Sequence, residues 1–233
     1  MKIAVVIPSF NQGKYISEAI ESIIQQSHPV DEILVVDDAS IDDTCQIIKN
    51  KFPQVRLLIN NTNRGPSYSR NYGIESSTSD LITFLDADDL WPEDKIQWQY
   101  DYLIQNSTID MVAGYGDYFF SEKVSKNDLR RHYLEGKPHF NAYLGSFLIK
   151  RSVFDRVGMF DVEMRLSEDQ DWFMRTREAG VALKIKENIS LRKRVHDANT
   201  TDGLSFKNSG FIQALRNSIR RREEINDNLK SNL

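Results

Sequence analysis

Four short apolar runs punctuate the first half of the chain: Ile3–Ile7, Ile33–Val36, Val55–Ile59 and Leu81–Leu85. Each is rich in Val, Ile and Leu with little polar alternation, the pattern of parallel strands covered on both faces. Between them the apolar positions change to helical spacing. Ile16, Ala19, Ile20, Ile23 and Ile24 form one stripe. Ile41, Cys45, Ile48 and Phe52 form a second, led by Ser40-x-x-Asp43, which reads as a capping box. A third helix is expected to begin near Pro66 and to end at Gly73. Strands separated by helices at intervals of roughly 25 residues are βαβ units, so this half predicts an α/β fold around a mostly parallel sheet.

The second half has a different texture. Met111–Phe120 reads as a strand rich in Tyr and Gly, and Tyr143–Ile149 as another apolar run. Residues 121–139 are polar and basic, with Lys123, Lys126, Arg130, Arg131 and Lys137, and predict a mobile loop that covers a ligand or simply meets solvent. A helix is expected over Ser167–Ala179 and a strand over Val181–Ile189. The tail after Phe206 is helical in pattern, with Phe211, Ile212, Leu215 and Ile219 on one face and Arg216, Arg220, Arg221 and Arg222 crowding the other. Its apolar face is expected to pack on the domain, a membrane-surface or partner role being the less favoured alternative. No internal repeat or low-complexity segment interrupts this layout.

Composition narrows the class. The chain has 233 residues, 40% of them hydrophobic and 27% charged, as in ordinary globular proteins. A net charge of −4 gives no sign of general nucleic-acid binding. A lone cysteine, Cys45, excludes an internal disulfide and a cysteine-built zinc site and fits a reducing compartment. The first residues lack a signal peptide's cleavage pattern, and no apolar stretch nears the ~18 residues of a transmembrane helix. A cytoplasmic protein is expected, with peripheral membrane contact left open.

The candidate chemistry lies at the strand ends. Asp86-Ala87-Asp88-Asp89 closes the fourth run, and three carboxylates so close together repel one another unless a cation joins them. Hard divalent ions prefer such oxygen ligands together with substrate phosphates. The bland reading is an acidic turn leading into the helix after Pro92. The first run ends in Pro8-Ser9-Phe10-Asn11 and the second in Asp37-Asp38. Right-handed parallel connections bring these ends to one sheet edge, where open α/β sheets bind ligands. The first strand is followed by neither G-x-G-x-x-G nor a Walker A loop, which counts against dinucleotide enzymes and weakens the nucleotidyl-transfer classes. It also ends without the acid that an aspartyl-phosphate enzyme would carry there.

The ordered set of motifs resembles family 2 glycosyltransferases. The residues concerned are Val6–Asn11, Val35–Ser40, Arg64–Asn71, Asp86–Asp89, Gly145–Ile149 with Val157–Asp161, Glu168-Asp169, and Arg194-Val195-His196-Asp197-Ala198-Asn199-Thr200. The resemblance covers roughly residues 1–205. It implies a GT-A fold, a nucleotide-sugar donor (a UDP-sugar), Mn²⁺ or Mg²⁺, and inversion at the anomeric carbon. It further implies a nucleotide-sugar-binding half over 1–110 and an acceptor-binding and catalytic half over 111–205, which leaves the helical tail over 206–233 outside it. Carried over residue by residue, Asp88 contacts the metal, and Asp86 approaches the donor ribose or metal-bound water. Asp38 accepts from the donor base, with Pro8 in the same pocket, and Arg70 contacts the donor or pairs with a strand-end aspartate.

Two residues have rival readings. Ser167-Glu168-Asp169-Gln170 fits a capped helix start, where acids suit the helix dipole. The resemblance instead makes Asp169 the general base, with Glu168 and Asp171 as adjacent rivals. A lone histidine is commonly a hydrogen-bonded residue, whereas His196's place in the closing motif suggests metal ligation. No Gln-x-x-Arg-Trp motif of processive polysaccharide synthases is present, which favours addition of one or a few sugars per encounter. The acceptor is open among glycan, lipid, peptide and small molecule. A catalytically inactive nucleotide-sugar-binding scaffold is the alternative function, and a nucleotidyltransferase the next.

Overall fold

The computed structural model describes residues 1–121, 133–164, 166–196 and 210–231. Most of the basic loop, 122–132, and the end of the closing motif, 197–200, lie outside the described residues, as does the start of the tail.

The first half follows the predicted alternation: β1 (Ile3–Ser9), α1 (Ile16–Ile24), β2 (Glu32–Asp37), α2 (Thr44–Lys51), β3 (Arg56–Ile59), α3 (Pro66–Ser76), β4 (Leu81–Phe84) and α4 (Lys95–Gln105). The second half contributes β5 (Met111–Phe120), a 3₁₀ turn at Leu144–Ser146, β6 (Phe147–Lys150), α5 (Arg151–Val157), α6 (Glu168–Glu178), β7 (Leu183–Val195) and α7 (Phe211–Ser231). The strands form a seven-stranded sheet in the order β3-β2-β1-β4-β6-β5-β7. β1 pairs in parallel with β2 and β4, as do β2 with β3 and β5 with β7. β6 is antiparallel to both of its neighbours.

Both faces of the sheet are buried, which explains why the strands read as unbroken apolar runs. Ile3, Val5 and Ile7 pack with Ile16, Ile20 and Ile23 of α1 and Ile96 and Leu103 of α4. The alternate residues Ala4 and Val6 pack with Ile74 of α3, Phe154 of α5 and Trp172 of α6. α3 lies close against β1 at Gly73, where a Cβ would lie 2.3 Å from Val6 Cγ1.

Several expectations need correction. α2 begins at Thr44, and the Ser40–Asp43 box does not form. Ser40 faces the β1 exit instead, its Oγ accepting from Asn11 N at 2.8 Å, and Ile41 is fully solvent-exposed rather than part of a buried stripe. The Ser167–Gln170 box is likewise absent: Ser167 stands at the N-cap with φ 59° but does not cap through its side chain. β7 runs on to Val195, six residues beyond the expected end, after register shifts opposite Tyr115. α7 does pack on the domain, but through Ala214, Ser218 and Arg221 rather than its apolar stripe.

Candidate functional site

The carboxyl ends of β1, β2 and β4, the start of α6 and the end of β7 meet at one sheet edge. The chain leaves β1 and β2 and enters α6 under strain. Asn11, Ala39 and Ser167 have φ of 53°, 64° and 59°, a region that residues other than glycine enter at a cost and that clusters at functional sites.

On the β1–β2 side, Pro8 lies half-buried in register with Val36. Next to it, Ser9 O accepts from Asp38 N at 2.7 Å. The buried Asp38 carboxylate receives Asn60 Nδ2 at 2.7 Å, Gly65 N at 2.7 Å and Arg64 N at 2.9 Å. It thereby pins the loop between β3 and α3, and a donor base would have to share this already engaged carboxylate. Arg64 lies 3.4 Å from the centre of the Tyr68 ring, and with Asn63, Val162 and Glu163 these two line a cavity of about 290 Å³. None of its lining residues belongs to the acidic clusters.

At the centre, Arg70 of α3 is 7% exposed and bridges two elements. Its Nη2 donates to Asp86 Oδ1 at 3.0 Å, and its Nη1 to Glu168 Oε1 at the start of α6. Burial opposes ionisation of Asp86, but the charges of Arg70 and Lys193 outweigh it and hold the carboxyl below its ordinary range. Lys193 of β7 donates to Asp89 Oδ2 at 2.9 Å and lies 3.7 Å from Asp86 Oδ2. Asp89 is fully buried and also accepts from Arg194 N at 2.8 Å. Two of the three clustered acids are therefore neutralised by side chains of this protein, so the expectation that the whole tetrad awaits a metal is too broad.

Asp88 is different. Its Oδ2 lies 2.9 Å from His196 Nε2, and both groups are largely buried. The pair is held from behind. Arg194 donates through Nε to Asp88 O at 2.8 Å and through Nη2 to Glu18 of α1 at 2.7 Å. Its guanidinium lies 4.8 Å from the centre of Tyr15 and 4.6 Å from that of Phe119, while the His196 ring packs at a tilt against the same Tyr15, 4.7 Å between centres. The donor set suits a hard-to-borderline divalent ion. Two cis ligands about 2.1 Å from one octahedral ion stand about 3 Å apart, close to the separation seen. Among the described residues no third His, Cys, Asp or Glu completes a protein-only cage.

The three acids at the start of α6 have distinct roles. Glu168 is committed to Arg70. Asp171 is 2% exposed and bound by Arg175 Nε and Arg221 Nη1, each at 2.9 Å. Asp169, partly exposed, accepts a local hydrogen bond from Gln170 N at 2.8 Å and forms no ion pair among the described residues. Burial, and then the charge of Glu168, push its carboxyl up to about 6 against the opposing pull of Arg70.

Comparison with known proteins settles the family. The sequence model described as glycosyl transferase family 2 matches residues 4–167. This chain belongs to that family. Among similar proteins, an uncharacterized glycosyltransferase of Haemophilus influenzae is 36% identical over 123 residues, 52% of this chain and 48% of its own length. The minor teichoic acid biosynthesis protein GgaA of Bacillus subtilis is 27% identical over 231 residues, 91% of this chain and 52% of its own. The chain thus spans about half the length of these two relatives. The crystal structure of S. aureus TarS 1–349 in complex with UDP-GlcNAc superposes with a TM-score of 0.74 at 19% identity, covering 94% of this chain and 65% of that one. The same TarS fragment in complex with UDP gives 0.70. At that identity the likeness concerns the fold, which is the GT-A fold of glycosyltransferases. This family 2 chain is therefore built on the expected α/β architecture.

Sequence reasoning missed Lys193, Glu18 and Asn60. Lys193 was the most findable: it sits in the cationic run Arg192–Arg194, the natural counterpart of an acidic tetrad. Glu18 and Asn60 carried no such signal, being single polar residues in a helix face and a strand exit.

Proposed function

We propose that this chain transfers a sugar from a UDP-sugar to an acceptor hydroxyl with inversion at the anomeric carbon, with Asp169 as general base and Mg²⁺ or Mn²⁺ held by Asp88 and His196. The observation that carries the reading is the division of labour at the start of α6. Glu168 and Asp171 are locked in ion pairs, while Asp169 alone of the three has no ion-pair partner among the described residues, and its pKa is raised to about 6. A base poised near the working pH is the efficient one. TarS structures hold UDP and UDP-GlcNAc, which supports a uridine-nucleotide donor here.

In this reading Pro8 and the Asp38-pinned loop receive the nucleoside. Asp86, its carboxylate fixed by Arg70, faces the ribose or a metal-bound water. When bound, the metal neutralises charge that builds on the departing diphosphate. Asp169 accepts the proton from the acceptor oxygen as that oxygen attacks the anomeric carbon. Arg70 couples the two sides by fixing Asp86 and the residue adjoining the base. The donor half lies within 1–110, the acceptor half within 111–205, and 206–233 forms a tail. Cys45 is a free thiol. Among the described residues no helix is long and apolar enough to cross a membrane. The lone thiol suits a reducing compartment, and on that ground we propose a cytoplasmic location.

The test compares Asp169→Asn with Asp171→Asn by transfer rate and melting temperature. The first should lower turnover by about 10²–10⁴-fold in a folded protein. The second should lose stability and retain chemistry. Near-normal transfer by Asp169→Asn would remove it as the base.

A further inference from the structure

α7 presents the wrong face to solvent for a helix whose work is to pack. Its attachment to the domain is polar and small-residue: Arg221 binds Asp171 and Glu178 at 2.9 and 2.8 Å, Ser218 bonds Glu178, and Ala214 is fully buried. The outward side carries Leu215, 44% exposed, and Ile219, 49% exposed, one turn apart. At helical spacing the half-buried Phe211 and Ile212 extend this stripe by a turn. Beside it stand the exposed Arg216 and Arg220, again one turn apart, while Arg222 at its far end turns back to within 3.7 Å of Glu178. Glu223 and Glu224 close the patch on the C-terminal side, with Glu224 3.9 Å from Arg220. Over the turns that hold Leu215 and Ile219 the flanking charges are all positive.

Ion pairs fix the helix in place, so the exposed stripe is not a loose end awaiting collapse onto its own domain. An aliphatic stripe bordered by arginines is complementary to a surface that is apolar beneath and negative at its face. We infer that α7 docks on an anionic lipid bilayer, with Leu215 and Ile219 inserted at the headgroup–acyl boundary and Arg216 and Arg220 on the lipid phosphates. The patch is small, so binding should be reversible and salt-sensitive, not a permanent anchor. Through its contacts with α6, docking would hold the helix that carries Asp169 in its first turn against the membrane. The inference rests on the exposed face alone and stands or falls separately from the roles proposed for Asp169, Asp88 and His196.

Vesicle sedimentation with the full chain tests it, using phosphatidylcholine alone and phosphatidylcholine mixed with phosphatidylglycerol. The wild type should partition at least tenfold more strongly to the anionic vesicles and lose most of that at high salt. The pair Leu215→Glu/Ile219→Glu should abolish binding, and Arg216→Glu/Arg220→Glu should remove the preference for anionic lipid, both at unchanged melting temperature. Failure of the wild type to bind, equal binding to both vesicle types, or full binding by either double variant would overturn the proposal. So would dimerisation through this face, lost in Leu215→Glu/Ile219→Glu, in place of vesicle binding.

Discussion

Asp169 is held in a state that costs stability and that suits the general base proposed for it. Its ordinary pKa is 3.8, and in the folded protein it lies at about 6. The folded state therefore binds this proton more tightly than the unfolded chain does. The group favours folding below about pH 4, and that contribution is lost as the pH rises through about 6. A raised carboxylate pKa thus makes the ionised form destabilising at neutral pH, by up to ~3 kcal/mol for a shift of this size. Asp169→Asn should accordingly melt several degrees above the wild type at pH 8, with the gap closing toward pH 4, as followed by thermal denaturation across pH. The wild-type kcat/KM should fall on an acidic limb near pH 6. Equal melting temperatures at pH 8 would show that the surroundings do not strain this group. Arg70 is the opposite case, a residue whose loss should be felt mainly in folding. Arg70→Met leaves Glu168 buried without its cation, at a cost of roughly 3 kcal/mol. Arg70→Lys should recover little, because an ammonium cannot fork between Asp86 and Glu168. Urea unfolding of the two variants checks both statements.

At the scale of elements, legibility followed burial. β1, β2 and β4 are covered on both faces, so their apolar runs could be read directly. α1 was equally plain, because its stripe faces one core. The failures occurred where local pattern and tertiary demand diverged. Ser40 and Ser167 precede helices and have acceptor or acid partners at the right spacing, yet neither caps. Ser40 and the strained Ala39 hold the β1 and β2 exits together, and Ser167 takes a left-handed conformation that aims the start of α6. Functional edges overrule capping in both cases. The antiparallel β6 could not have been foreseen, since a four-residue buried strand carries no mark of direction. β7 was cut short because its first half is exposed and its second half buried. Close packing of α3 on β1 yields a prediction here. Gly73→Ala would gain up to ~1 kcal/mol of helix propensity but place a methyl 2.3 Å from Val6 Cγ1, inside a two-sided core. Overpacking of this kind costs about 1–3 kcal/mol, so the variant should be less stable by denaturant titration. Val6→Ala should be partly rescued by Gly73→Ala in the double variant. Simple additivity would mean that the helix shifts to make room.

For the whole molecule, the candidate ligand set is divided between the halves. Asp88 stands on the β4–α4 connection and His196 at the end of β7, and Arg194 ties that strand end to α1 through Glu18. The acidic tetrad was visible in the sequence, and so was the place of His196 in a motif. That Asp86 and Asp89 are already neutralised by Arg70 and Lys193 was not, because ion pairing over such distances leaves no local pattern. With two protein donors available, an Mg²⁺ or Mn²⁺ ion needs phosphate oxygens to complete its shell, and neither ion nor diphosphate should bind well alone. Ligands that bind the folded state raise its apparent stability by mass action. UDP with Mn²⁺ should therefore raise the melting temperature by more than the sum of the shifts from UDP and Mn²⁺ separately. EDTA should abolish the excess. Asp88→Ala should lose the excess while keeping the shift that UDP alone produces, since the residues proposed to receive the nucleoside lie elsewhere, at Pro8 and Asp38. If UDP binds as tightly in EDTA as in Mn²⁺, the Asp88–His196 pair is a structural hydrogen bond across the two halves, and the charge of the departing diphosphate falls to Arg70 and Lys193.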